Sequence, residues 1–162
     1  MSRAHVVTLS AVAAAVLGFA HQAAGHCQVP CGIYGDQMRF ERMLEDQTTV
    51  AKAMAQINEL SGKSDALSHN QLARWVVNKE EHATNTQRII ADYFMAQRIK
   101  PGADKEAMAR YLKQLTAAHK VMQAAMKAKQ TVDSADAEAL KQAIFDFYEA
   151  YEGKEFLEHA HE

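Results

Sequence analysis

Residues 104–129 read "DKEAMARYLKQLTAAHKVMQAAMKAK". Met108, Leu112, Leu115, Met122 and Met126 recur at steps of four, three, seven and four, which places them on one face of a helix. A half-buried strand would alternate apolar and polar residues, and no run of that kind occurs along the chain. Working outward, "KPG" (100–102) stops the preceding helix. Proline disfavours helical geometry in its predecessor and has no backbone N–H to donate. That preceding helix is predicted from about His69 to Ile99, with Leu72, Val76, Ala83, Ile90 and Phe94 on one stripe. "SGKSDALS" (61–68) reads as a loop. Before it, a helix from about Gln37 to Leu60, N-capped by Asp36, carries Met43, Val50, Met54 and Ile57. On the other side, "TVDSAD" (131–136) interrupts the pattern ahead of a last helix, about Ala135 to His159, with Leu140, Ile144, Phe147 and Tyr151. Four amphipathic helices on short connections predict an all-α, up-down-up-down four-helix bundle. The methionine and aromatic stripes are read as its core.

The first 25 residues differ from the rest. Arg3 is followed by an apolar run from Val6 to Ala20, then by small residues at Ala23 and Gly25. This is the pattern of a secretory signal cleaved after Gly25. The run is short for a membrane-spanning helix, which needs about 20 apolar residues. The expected organisation is therefore a signal peptide or propeptide at 1–25 and one domain at 26–162. Export to the periplasm or outside the cell is expected, or a cytoplasmic place if 1–25 is a propeptide removed inside the cell. The formal net charge of −2 comes from mixed charges spread along the chain, as on solvated helices. No basic cluster suggests nucleic acid, and once the leader is gone no membrane partner is expected.

Both cysteines fall in "HCQVPCGIY", residues 26–34. Two thiols four apart in an exported chain suit a Cys27–Cys31 disulfide, so one reading is a non-catalytic secreted bundle with a stapled N-terminus. The other reading is a metal chelate. Cleavage after Gly25 gives His26 a free α-amine. That amine and the backbone nitrogen of Cys27 close one ring around an ion, and the Cys27 thiolate closes a second. Cys31, returned by a turn at Val29-Pro30, completes a planar set of two nitrogens and two sulfurs, with the His26 imidazole along the axis. Tetragonal sites of this sort favour Ni(II) or Cu(II), and thiolates tend to reduce Cu(II), which leaves nickel. Glu158, His159 and His161 also offer metal donors, but near a chain end they read as a solvated tail.

"HCQVPCGIY" resembles the nickel-binding hook H-C-x-x-P-C-G-x-Y of the nickel superoxide dismutases at every fixed position. "RWVVNKEEHA" (74–83) and "YFMAQRIK" (93–100) are similar to bacterial members of that family. The resemblance implies a superoxide dismutase with one nickel per subunit, held by His26, Cys27 and Cys31 and cycling between Ni(II) and Ni(III). It implies a homohexamer of four-helix bundles, each hook covered by neighbouring subunits, and a processing peptidase that exposes the His26 amine. Tyr34 matches the family tyrosine over the open metal face, and Pro30 shapes the entrance. Glu41 is the nearest match to the carboxylate that orients the metal-bound imidazole. His82 and Arg74, eight apart on the second helix, are weighed both as site neighbours and as surface or interface residues. Gln28 stands where some relatives have an acidic residue. A nickel carrier using the same hook without turnover is the remaining alternative.

Overall fold

The computed structural model describes Ile33 and residues 35–156. These form helices α1 (Asp36–Leu60), α2 (Ala66–Arg88), α3 (Lys105–Lys129) and α4 (Ser134–Glu152). Between α2 and α3, residues Ile89–Arg98 continue the second helix as a π-helical segment. Among the described residues there is no strand, and no helix is long and apolar enough to cross a membrane. Each helix packs on its two sequence neighbours and α4 closes back on α1, the ring of an up-down-up-down bundle.

Three of the four starts are set by aspartate caps, whose carboxylates satisfy N–H groups that lack a helical partner. Asp65 accepts from the Ser68 N–H at 2.9 Å and the Ser68 hydroxyl at 2.6 Å. This cap starts α2 at Ala66, so the expected 61–68 loop is shorter than its composition suggested. Asp104 accepts from Ala107 N–H at 2.7 Å and Asp133 from Ala135 N–H at 2.9 Å. The predicted cap Asp36 does not cap: Gly35 holds that position and Asp36 is the first helical residue. Its carboxylate is used elsewhere.

Two further expectations are corrected. The last helix does not reach His159. It ends at Glu152 because Gly153 adopts left-handed geometry (φ 74°), which only glycine enters without cost. Residues 157–162, including Glu158, His159 and His161, lie outside the described part. The stripe on α3 is the second. Its buried residues are Ala117, Ala118, Val121, Ala125 and Ala128, whereas Leu112 is 52% exposed and Met108 and Met126 are also exposed. The core face is rotated by about one residue, roughly 100°, from the methionine stripe. Small residues let α3 lie close to its neighbours, and the larger apolar side chains are displaced to the flanks and outward. On α2, likewise, Val76 is exposed and Leu72 half-buried, while Ala83, Thr86 and Lys79 face inward.

The other stripes hold. Met43, Val50, Met54 and Ile57 of α1 and Leu140, Ile144 and Phe147 of α4 are buried. The densest part of the core is aromatic and lies at the end where α1 begins. Phe40 packs its ring 4.8 Å from Phe94, 5.1 Å from Phe147 and 4.9 Å from Tyr148, between centroids. Tilted and edge-on rings at such distances each add about 0.5–1.5 kcal/mol beyond their burial. This end is therefore rigid, and it is where residues 26–34 join the bundle. The loop before α3 is tight there too: a Cβ on Gly102 would lie 2.2 Å from the backbone carbon of Ala107.

Candidate metal centre

His26, Cys27, Pro30, Cys31 and Tyr34 lie outside the described residues. What is described is the root from which they extend. Ile33 sits in a turn, largely exposed, and Gly35 is extended (φ −80°, ψ 139°). Asp36 then enters α1 and meets three donors from two other elements. Tyr93 Oη donates to Oδ1 at 2.5 Å, Arg98 Nη2 to Oδ2 at 2.5 Å, and Tyr151 Oη to Oδ2 at 2.9 Å. Arg98 Nε also reaches Tyr151 Oη at 3.3 Å, and its guanidinium lies 5.8 Å from the centre of the Tyr93 ring. Burial pushes the Asp36 carboxyl up. The hydrogen bonds from Arg98, Tyr93 and Tyr151 more than offset that, and the group ends below its ordinary value, ionised. Burial first, then the hydrogen bond to Asp36, pushes the Tyr151 phenol up to about 12 against the lowering effect of Arg98, so it remains a donor.

The π geometry makes the double grip from one helix workable. Tyr93 and Arg98 are five residues apart, which in an α-helix of 3.6 residues per turn sets side chains about 140° apart. A π-helix bonds five residues apart, as in Ile99 N–H to Phe94 C=O at 2.8 Å, and so stacks positions 93 and 98. Gln97 Nε2 supports the segment by donating to the Asp92 carbonyl at 3.0 Å.

The three outlying candidates do not converge in one place. Glu41, half-buried one turn into α1, accepts from Gln37 Nε2 at 3.0 Å. His82 crosses from α2 to α1, where its Nδ1 lies 2.5 Å from Asp46 Oδ1. Asp46 is fully buried, and burial raises its carboxyl above the ordinary value despite His82 and Arg42. Its second oxygen makes no hydrogen bond of standard geometry, and the Asn85 side chain also acts to lower the carboxyl. Arg74 is exposed and lines an open groove along α2 with Asn70, Asn78 and Glu81. Sequence reasoning missed Asp46 as the partner of His82, and it missed Arg98 and Tyr151 as partners of Asp36. Separations of 36, 62 and 115 residues leave no periodic signal to find.

Among the described residues no group of three or more His, Cys, Asp or Glu is placed to hold a metal ion. The family model for nickel-containing superoxide dismutase matches residues 21–155, a span that contains the whole of 26–34 and the bundle. The chain belongs to the nickel-containing superoxide dismutases. Comparison with curated proteins gives no match, and comparison with solved structures gives none. As a nickel superoxide dismutase the protein is an oxidoreductase that acts on superoxide and uses nickel. The all-helical bundle described above agrees with that membership.

Proposed function

We propose that the nickel of this enzyme is held by His26, Cys27 and Cys31. One observation supports the reading: residues 21–155, the span of the family match, include "HCQVPCGIY", which holds both thiols of the chain and leads into the aromatic end of the bundle two residues after Tyr34. The donor set fits the ion chemically, since two thiolates, the His26 amine and the Cys27 backbone nitrogen, with the His26 imidazole in addition, would supply the electron-rich donors that nickel favours. When bound, nickel supplies one-electron exchange with superoxide, so that two superoxide anions and two protons become dioxygen and hydrogen peroxide.

The rest falls to side chains. The thiolates of Cys27 and Cys31 supply negative charge that moves the metal potential into the range superoxide can use. Tyr34 offers a phenolic O–H to a small anion at the open face and restricts what enters, with Pro30 shaping the approach. Glu41 is the carboxylate assigned to the free ring nitrogen of His26, fixing its orientation. Arg74 and His82 are assigned to the surface and to subunit contacts. A homohexamer is supported by the apolar side chains left outside, among them Leu67, Val77 and Leu112, each more than half exposed. Exposure of the His26 amine requires a peptidase that cuts after Gly25, and the apolar 6–20 segment supports export.

The test is the free amine. A chain carrying one extra residue before His26 is expected to lose nickel and superoxide turnover, measured by metal analysis and pulse radiolysis. Full turnover in the extended form would refute the ligand assignment.

A further inference from the structure

In sequence, residues 26–34 lead into the bundle through Gly35 and Asp36, the first residue of α1. Two oxygens of one carboxylate receive Tyr93, Arg98 and Tyr151, which joins the start of α1 to the end of the π segment and the last turn of α4. Directly beneath, Phe40 and Phe94 pack against the ring of Tyr151 at 5.8 and 5.2 Å, so the donors themselves are fixed by buried aromatics. An acidic residue in the first turn of a helix is favourable wherever it occurs. That general effect does not require a second tyrosine, an arginine and a rare helical geometry to aim them.

We propose that Asp36, gripped by Arg98, Tyr93 and Tyr151, is a positioning residue for the nickel hook: it fixes the point and direction at which residues 26–34 leave the bundle, and so governs how tightly the metal is retained. The inference rests on the assignment of His26, Cys27 and Cys31 as ligands. Its physical content is a local equilibrium. While the carboxylate is gripped, the root has one orientation and the donors of the hook stay near their closing geometry. Once released, the root samples many orientations, and each reduces the time the chelate spends closed. Charge-assisted hydrogen bonds of this kind shift such an equilibrium by about tenfold or more, less than their nominal strength because Arg98 is partly open to water.

The experiment compares the processed, nickel-loaded wild type with Asp36→Asn, Arg98→Gln and Arg98→Lys. The readouts are nickel release to excess chelator, the paramagnetic resonance spectrum of the oxidised centre, and helical circular dichroism. Asp36→Asn and Arg98→Gln are expected to release nickel about tenfold faster with an altered spectrum and unchanged helicity, and Arg98→Lys to recover most of the difference. Wild-type release rates and spectra in both disruptive variants would overturn the proposal. Should Asp36→Asn fail to fold, Arg98→Gln carries the test, because that side chain is 42% exposed and its loss opens no cavity. Nickel that binds wild type but is indifferent to Cys27→Ser would instead overturn the ligand assignment, and the proposal with it.

Discussion

Lys79 offers the sharpest test of how the bundle is held together. It is 3% exposed, yet its ammonium does not rely on a carboxylate. Nζ donates to the carbonyls of Ala128 at 2.9 Å, Lys129, and Thr131 at 3.1 Å, which uses all three of its protons; Glu80 stands off at 3.6 Å. Ala128 and Lys129 belong to the last turn of α3, whose carbonyls have no helical partner and carry the negative end of the helix dipole. The substitution Lys79→Met keeps the stem and removes the donors. An orphaned buried acceptor costs about 1–3 kcal/mol, but the Lys129 and Thr131 carbonyls lie near solvent and recover water. Relief from burying an ammonium offsets part of the remainder. The net loss works out at about 1–2 kcal/mol, or a fall in Tm of roughly 3–8 °C for a chain of this size. Urea denaturation should show it as a lower midpoint with an unchanged slope. The far end of α3 is roughly 35 Å along the helix from the end where the hook joins, so nickel release should not follow. A loss under about 1 kcal/mol would refute the reasoning, since ammonium burial would then cancel what three carbonyls return.

Asp46 makes stability depend on pH in the less common direction. Its carboxyl is raised by burial, so the stability it contributes is full below its unfolded value of 3.8 and is lost as pH rises through the folded value. The urea midpoint of Asp46→Asn should therefore gain on wild type as pH rises above the ordinary carboxyl value, and a wild-type gain in that direction would contradict the assignment. Gly153→Ala should cost about 1–2 kcal/mol, seen as a lower Tm, from backbone conformation alone, because nothing lies within 4 Å of the added Cβ. In alkaline titration followed by phenolate absorbance, Tyr151 should stay protonated until near pH 12 and Tyr151→Phe should remove that late step. Stability linked to it is present below the ordinary phenol value of 10 and declines as pH rises toward 12.

The bundle was legible where hydropathy and packing agree. On α1 and α4 the periodic apolar residues are the buried ones, so period alone found Met43, Val50, Ile144 and Phe147. It failed on α3 because hydropathy weights Met108, Leu112 and Met126 above alanine, while close packing prefers Ala118, Ala125 and Ala128. Boundaries depended on single residues: Asp65 started α2 early, and Gly153 ended α4 before the histidine tail. The hook could be proposed from sequence because its donors are local in the chain and its spacing is chemical. The Asp36 grip was not, because it assembles three distant segments and uses a five-residue step that no α-helical template contains.

That five-residue step has a consequence for how the chain tolerates changes in length. Each π turn accommodates one residue more than an α turn. Were the stretch to adopt ordinary winding with its length unchanged, Tyr93 and Arg98 would stand about 140° apart and could not both reach the aspartate. The length of the interval from Arg88 to Pro101 is thus matched to its winding, and a change of length there bears on the anchor as one in the loop at 61–65 does not. In a set of relatives, the count of residues in that interval, more than their identity, would sort chains that tether their metal loop this way from chains that have found another means.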